Sequence, residues 1–378
     1  MFIQLLIIFG LLGILAECYF ISLWIVAFLK KKKETTYSYS PSACVIIPCK
    51  GIIEGIIENI NAFCSQRYPS YQLIFVVDSK KDPIYPIIAT ISEKHTHVSI
   101  KITKNKELCS DKIAALLTGV ESIKEADVLV FADCDIKPNK SWLKNLIYPL
   151  ENPTIGASTG YRWYFPTNLK TQLISAWNMA SIALMFNPRY NFTWGGSTAI
   201  RLSIFNQLDI KTKWKTAFSD DLVLTNALKN AGYKIYFQPK CIIESLPETS
   251  IKKFLGWGTR QYTWIRWYYL NVWLSSFIGL VGLKILTILG IILIIIGQYI
   301  PGLIMISTIF FEMIYGWQGI NIMQKTMEYP KQRFSSKASY ALMTPIVFFM
   351  IAYNMLASSI KQQISWAGRI YKKPKLNC

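Results

Sequence analysis

The sequence predicts an α/β domain built on a mostly parallel sheet and joined to membrane-spanning helices at both ends. Three observations carry this. Short, wholly apolar runs, CVIIP at 44–48, LIFVV at 73–77 and VLVFA at 128–132, are separated by stretches with apolar residues at helical spacing. A run apolar on both faces is what a strand covered by helices on each side requires. Acidic residues stand at the exits of two of these runs, Asp78 after the second and Asp133 and Asp135 after the third, and strand exits are where an α/β sheet places its ligands. Finally, 52% of the 378 residues are apolar and the mean hydropathy is +0.28, with the excess gathered at the two ends, as in lipid-embedded chains.

Taken in order, residues 2–29 contain one charged side chain, Glu17, over a length greater than the roughly 20 residues that cross a bilayer core. Lys30, Lys31, Lys32 and Lys33 follow. A cleaved signal peptide carries its positive charge before the apolar run, so residues 1–33 are expected to be a transmembrane anchor with a basic flank. By the positive-inside rule that flank is cytoplasmic, and the catalytic domain after it is expected in the cytosol.

A domain at 44–250 follows. Strands are expected at 44–48, 73–77 and 128–132, helices at 54–65 and 111–123, and a turn at Tyr68-Pro69-Ser70. Residues 163–191, rich in aromatics and amides, read as irregular. Trp194-Gly195-Gly196-Ser197 reads as a turn where backbone approaches something closely. A helix at 216–232 ends at Gly232, and 233–238 before Pro239 reads as a last edge strand.

Residues 251–273 mix Trp257, Trp264, Trp267 and Trp273 with Lys252, Lys253, Arg260 and Arg266, the composition of an amphipathic helix at headgroup level. Membrane segments fill 274–360, with candidate spans at 275–298, 303–317 and 338–356, before a basic tail at 361–378. Here the charge rule and the span count conflict. Lys325, Lys331, Arg333 and Lys337 belong inside, yet a third full span would put Lys361, Arg369, Lys372, Lys373 and Lys375 outside. Two to three C-terminal spans are therefore expected, one of them re-entrant if the tail obeys the rule.

The net charge of +19 borders the apolar segments and comes with no nucleic-acid motif, which points to an anionic membrane surface and away from nucleic acid. Eight cysteines without a C-x-x-C pair, and only His95 and His97, exclude a zinc site and a disulfide framework. The sequon Asn191-Phe192-Thr193 then lies on the cytosolic side and is incidental.

Asp133-Cys134-Asp135 is the sharpest chemical signal. Two carboxylates one residue apart at a strand exit can hold one hard divalent cation, and a cation so held usually grips nucleotide phosphates. Asp220-Asp221 precedes a helix, where a carboxylate either serves as a base or caps the helix N-terminus.

The ordered set Asp78, Asp133-x-Asp135, Asp221 and Arg266-Trp267 resembles the ceramide glucosyltransferase-like branch of the inverting family 2 glycosyltransferases, over roughly residues 44–269. The resemblance implies a GT-A fold, a nucleotide-sugar donor with UDP-glucose as the type, and a membrane lipid acceptor. It implies that Pro48 opens the donor pocket, that Asp78 binds the base and that Lys112 lies near the donor phosphates. Asp133 and Asp135 would hold Mg²⁺ or Mn²⁺, and Asp221 would be the general base with Asp220 in place of the usual glutamate. Arg266 and Trp267 would serve the diphosphate and acceptor side. The family has Gln or Arg three residues before its Arg-Trp pair. Here Thr263 stands there, with Arg260 and Gln261 further upstream. A turn aspartate at position 78 and a solvated lysine at 112 would leave the same sequence trace.

Competing readings are a processive polysaccharide synthase, a polyprenyl-phosphate glycosyltransferase, and a membrane binding module on a decayed GT-A fold. A synthase needs more spans and an intact Q-x-x-R-W. Retention of every acidic position argues against decay.

Overall fold

The computed structural model describes residues 2–29, 39–104, 108–245, 250–327, 329–366 and 368–373. The Lys30–Lys33 cluster and Lys375 lie outside the described residues. The chain forms two compact units, one of Met1–Lys32, Tyr164–Asn187 and Leu246–Cys378, the other of Lys33–Trp163 and Pro188–Ser245.

After α1 (Phe2–Leu29), the second unit runs β1 (Ala43–Cys49), α2 (Ile56–Cys64), β2 (Tyr71–Val77), α3 (Tyr85–Ser92), β3 (Val98–Ile102), α4 (Asp111–Glu121), β4 (Val128–Ala132), α5 (Trp142–Ile147) and β5 (Ile155–Trp163). The chain then contributes α6 (Leu169–Met185) to the first unit. It returns as β6 (Ser197–Arg201), α7 (Leu202–Gln207), α8 (Ile210–Trp214), α9 (Asp220–Asn230) and β7 (Lys234–Glu244).

The seven strands lie in the order β3-β2-β1-β4-β6-β5-β7. Every pairing is parallel except those of β6, which runs against both β4 and β5. This is the mostly parallel α/β sheet that the apolar runs predicted. β1 pairs in unbroken register with β2 and with β4, so that Pro48 stands beside Val76 and Ile46 beside Phe131. The exits of all three strands therefore fall at one edge. One face is sealed by Ile113 and Leu116 of α4 packed with Ile46, Leu129 and Phe131, and by Trp214 against the Phe131 ring at 5.1 Å. Each such side chain stabilises the fold by about 1.5–3 kcal/mol on burial. β7 is an edge strand that continues past Pro239. The β5–β7 register shifts between Thr159 and Tyr161, where the missing N–H of Pro239 is tolerated.

The reading of 163–191 as irregular is corrected: α6 is a regular 17-residue helix. Asn168 accepts from the Thr171 N–H while the Thr171 hydroxyl accepts from the Asn168 N–H, a capping box. Residues such as Ile174, Trp177, Asn178, Ile182 and Met185 are buried around most of its circumference, which removes the one-sided apolar stripe by which helices are recognised.

The first unit continues with α10 (Ile251–Tyr268), α11 (Leu270–Ile295), α12 (Tyr299–Thr326), α13 (Lys337–Ile360) and a hairpin of β8 (Gln363–Trp366) and β9 (Arg369–Lys372). α1, α11, α12 and α13 are each long and apolar enough to cross a membrane. α11 and α12 form an antiparallel pair in close approach. A Cβ on Gly290 would lie 2.9 Å from the Gly302 carbonyl, and one on Gly302 equally close to the Gly290 carbonyl, the use membranes make of small residues.

α13 packs along both helices. A Cβ on Gly316 of α12 would stand 2.1 Å from the Thr344 hydroxyl of α13, and Phe348 of α13 lies 5.5 Å from the Tyr315 ring of α12. At its start Lys337 donates to Asn321 Oδ1 of α12 at 2.7 Å. Near its end, Ser358 Oγ accepts from Trp273 Nε1 of α11 at 3.0 Å, and the Arg266 guanidinium donates to the Ser359 and Lys361 carbonyls.

If the basic residues on both sides of α13 obey the positive-inside rule, Gln332→Cys and Gln362→Cys should be labelled from the same face of sealed vesicles by a membrane-impermeant thiol reagent. Labelling from opposite faces would make α13 a full span.

Candidate active site

The sheet edge collects the charged side chains. Lys50, just past β1, lies 3.4 Å from Asp78 Oδ2 after β2 and 3.1 Å from Asp111 Oδ2 at the start of α4. Burial opposes the charge of Lys50, but Asp111 and Asp78 outweigh it and raise its pKa. Asp82 fixes the adjoining loop by accepting from the Gly51 N–H at 3.0 Å.

Lys112, in the first turn of α4, is the hub. Its ammonium lies 2.7 Å from Asp133 Oδ1 and 3.4 Å from Asp220 Oδ2, and donates to the Gly195 carbonyl at 3.2 Å. Burial disfavours its charge, yet Asp133, Asp220 and Asp221 together raise its pKa. Losing one partner of a pair so enclosed typically costs about 3–5 kcal/mol, because the other charge is left uncompensated. A side chain at Gly195 would displace this pair. A Cβ there would stand 2.3 Å from Asp220 Oδ2 and 2.7 Å from Lys112 Nζ. The close backbone approach expected at 194–197 is therefore an approach to the Lys112–Asp220 pair.

Asp220 and Asp221 differ in environment. Asp220 is buried; that burial, with repulsion from Asp221 and Asp133, raises its pKa to about 6 against the pull of Lys112. Asp221 is half-exposed, and its Oδ1 accepts from the Ser219 hydroxyl and from the Leu222 N–H at 2.8 Å. The N-cap of the helix is Ser219, whose hydroxyl also accepts from the Leu222 N–H at 3.4 Å, so Asp221 supports a cap that another residue supplies.

Asp135 is exposed as a residue, but its carboxyl sits among neighbouring groups that displace part of its water; this partial desolvation and repulsion from Asp133 push its pKa up, against Arg162 and Lys112. The Arg162 guanidinium stacks on the Trp194 ring at 4.9 Å. Four carboxylates, Asp133, Asp135, Asp220 and Asp221, thus face two cations, Lys112 and Arg162. Among the described residues no three His, Cys, Asp or Glu side chains come together as a full metal shell. A solvent-facing carboxylate pair whose mutual repulsion a cation would relieve nevertheless fits a divalent ion completed by ligands from a bound molecule.

Among the sequence-derived candidates, Pro48, Asp78, Lys112, Asp133, Asp135, Asp220 and Asp221 lie in the sheet unit, and Lys112 joins Asp133 to Asp220. Arg260, Gln261, Arg266 and Trp267 lie on α10 in the other unit. There Arg260 stands over the Trp366 ring at 5.7 Å, Arg266 serves the α13 end, and Trp267 is buried edge-on to Trp264. Thr263 is buried and donates to the Thr259 carbonyl. Lys50, Asp111 and Arg162 were not among the candidates. Only their position beside the β1 exit, the α4 start and the β5 end could have flagged them.

A sequence model of glycosyl transferase family 21 matches residues 5–375. The chain belongs to this family. The family 21 chain is 27% identical over 238 residues to the probable glycosyltransferase YdaM of Bacillus subtilis (strain 168), covering 60% of this chain and 55% of that protein. It is 31% identical over 106 residues to glycosyltransferase AglE of Haloferax volcanii, 28% of this chain and 34% of that one. It therefore spans about half of the first relative and a third of the second. The mannosyltransferase PcManGT from Pyrobaculum calidifontis, solved in complex with GDP-Man and Mn²⁺, superposes with a TM-score of 0.53 at 14% identity, over 96% of this chain and 98% of that one. The shared fold is the GT-A type.

The raised pKa of Asp220 has a sign that can be tested. An aspartate near 3.9 unfolded and about 6 folded binds its proton more tightly when folded, so its contribution is complete below pH 4 and lost as pH rises through 6. At about 1.4 kcal/mol per unit, this is on the order of 3 kcal/mol. Thermal unfolding from pH 4.5 to 7.5 should show this fall in wild type, and Asp220→Asn should remove most of it. Parallel curves for the two proteins would place the shift elsewhere.

Proposed function

We propose that this chain is a membrane-bound, inverting glycosyltransferase that moves a hexose from a nucleotide-sugar, UDP-glucose as the type, to the hydroxyl of a membrane lipid. One observation carries the reading: the Lys112-centred acid cluster at the exits of β1, β2 and β4, in a chain whose other unit is a bundle of membrane-length helices.

In this reading Asp78, at the β2 exit, accepts from the nucleotide base, with Lys50 holding its carboxylate in place. Pro48, half-buried next to the last residue of β1, opens the pocket. Asp133 and Asp135 would hold Mg²⁺ or Mn²⁺. When bound, that ion neutralises charge on the departing diphosphate. Lys112 keeps Asp133 aimed at the site and places a second positive charge beside the phosphates. Asp221 takes the acceptor proton as the hydroxyl attacks the anomeric carbon. The base is assigned to Asp221 because Asp220 is buried and held by Lys112, whereas Asp221 reaches the surface. α10, with Lys252, Lys253 and its tryptophans, lies at the headgroup level of an anionic cytosolic leaflet, where it presents the acceptor. Arg266 fixes the end of α10 to the end of α13, and Trp267 packs against Trp264 within α10. The sheet unit is cytosolic.

Asp221→Asn should keep donor binding, measured by titration with UDP-glucose, and lower transfer by about 10² to 10⁴. If Asp220→Asn is the inactive variant and Asp221→Asn is active, the base is the neighbouring residue.

Purified protein in vesicles, given labelled UDP-glucose and membrane lipid, should move label into the organic extract, and excess EDTA should stop it. Full turnover in EDTA removes the metal from the reading. Label appearing only in water-soluble or polymeric product favours the synthase.

A further inference from the structure

Glu17, Lys284 and Glu312 form a charged cluster that the reaction does not use. Each lies within about one turn of the middle of its own helix, α1, α11 and α12, and none is more than 4% exposed. The Lys284 ammonium is ion-paired with Glu312 Oε1 and closed over by Phe349 and Phe348 of α13, ring centroids 4.8 and 5.7 Å away. The Glu17 carboxyl stands within hydrogen-bonding reach of the Glu312 carboxyl. Yet no hydrogen-bond partner reaches either oxygen of Glu17, or Oε2 of Glu312, among the described residues.

The neighbours do not supply the missing donor: the indole N–H of Trp24 on α1, about two helical turns from Glu17, reaches no acceptor among the described residues. Tyr315 of α12 gives its hydroxyl to the Ala180 carbonyl, and the Thr287 and Thr308 hydroxyls bond to their own helices and to each other. Tyr340 of α13 is paired with Ser175, Cys18 of α1 is exposed, and the only charged residue of α6 is the exposed Lys170. Two carboxylates and one ammonium carry a net −1 when all are ionised. At mid-bilayer depth there is no water to solvate that charge or to satisfy the facing oxygens. A single proton does both: it makes the cluster neutral and becomes the hydrogen of a carboxylic acid–carboxylate bond.

We infer that Glu17 and Glu312 share one bound proton, and that this proton-bridged triad joins the N-terminal helix to α11 and α12. α1 is then a keyed member of the bundle that cannot be exchanged for another apolar anchor. The site takes a proton as its ligand, and stripping it leaves like charges facing each other between helices.

The test is infrared spectroscopy of full-length protein in lipid vesicles at neutral pH, as wild type minus Glu17→Gln and wild type minus Glu312→Gln. Both differences should contain the carbonyl stretch of a protonated carboxylic acid, because either substitution leaves an ion pair that needs no proton. Loss of carboxylate bands alone would overturn the inference. If neither variant folds, the acid band followed in wild type to alkaline pH serves instead. It should disappear together with a fall in melting temperature, and a melting temperature independent of pH over that loss would overturn the coupling. Where the variants do fold, Glu17→Gln, which retains a donor, should melt with wild type at neutral pH and Glu17→Ala below it. Equal losses from both would also reject the shared proton.

Discussion

The ammonium of Lys112 is the interaction on which the catalytic unit turns. Three segments that are distant in sequence meet on it: the exit of β4 through Asp133, the 194–197 turn through the Gly195 carbonyl, and the start of α9 through Asp220. Each contact is polar, although buried apolar residues such as Ala132, Trp194 and Leu224 stand close by in all three segments. The sheet core brings the strand exits to one edge, but burial is non-directional; the charge fixes which side chains meet. The same hub sets the two adjacent aspartates apart, by holding one and leaving the next at the surface.

The membrane unit obeys a different rule. Its helices are as apolar as the lipid around them, so burial of apolar surface does little to hold them together. Contact is made through close backbone approach at Gly290 and Gly302, through hydroxyl and amide bonds such as Lys337 to Asn321 and Trp273 to Ser358, and through the charged triad. Specificity therefore resides in a few polar or small residues, each visible in the sequence as an exception within an apolar run.

What could be read from the sequence follows from this division. β1, β2 and β4 were legible because strands buried on both faces must be apolar throughout, and Asp78, Asp133 and Asp135 because they break such runs at their ends. Gly195 was legible as a backbone approach, though the Lys112–Asp220 pair it approaches was not. β3, β5 and β6 were missed: β3 is only half-buried and weakly apolar, and the other two mix serine, threonine and glycine with apolar residues. Lys50 and Asp111 acquire meaning only through contacts across the sheet. α6 lost its periodicity to burial on nearly all sides. Hydropathy measures how long and apolar α13 is, and is silent on which helices it packs against, which contacts such as Phe348 to Tyr315 and Ser358 to Trp273 show.

The excursion of the chain from β5 into α6 and back to β6 orders events during synthesis. α6 packs against α10, α12 and α13, and α13 is translated more than 150 residues after α6 ends. At about 5–20 residues per second, the buried faces of Ile174, Trp177 and Ile182 wait on the order of ten seconds for their partners. The sheet is finished sooner, because β7 ends at Glu244 and α13 begins only at Lys337. Before α10 and α12 are made, the membrane-length helix available to cover α6 is α1. A ribosome stalled in the last helix would leave a chain whose sheet is complete and whose α6 lacks the cover that α13 gives.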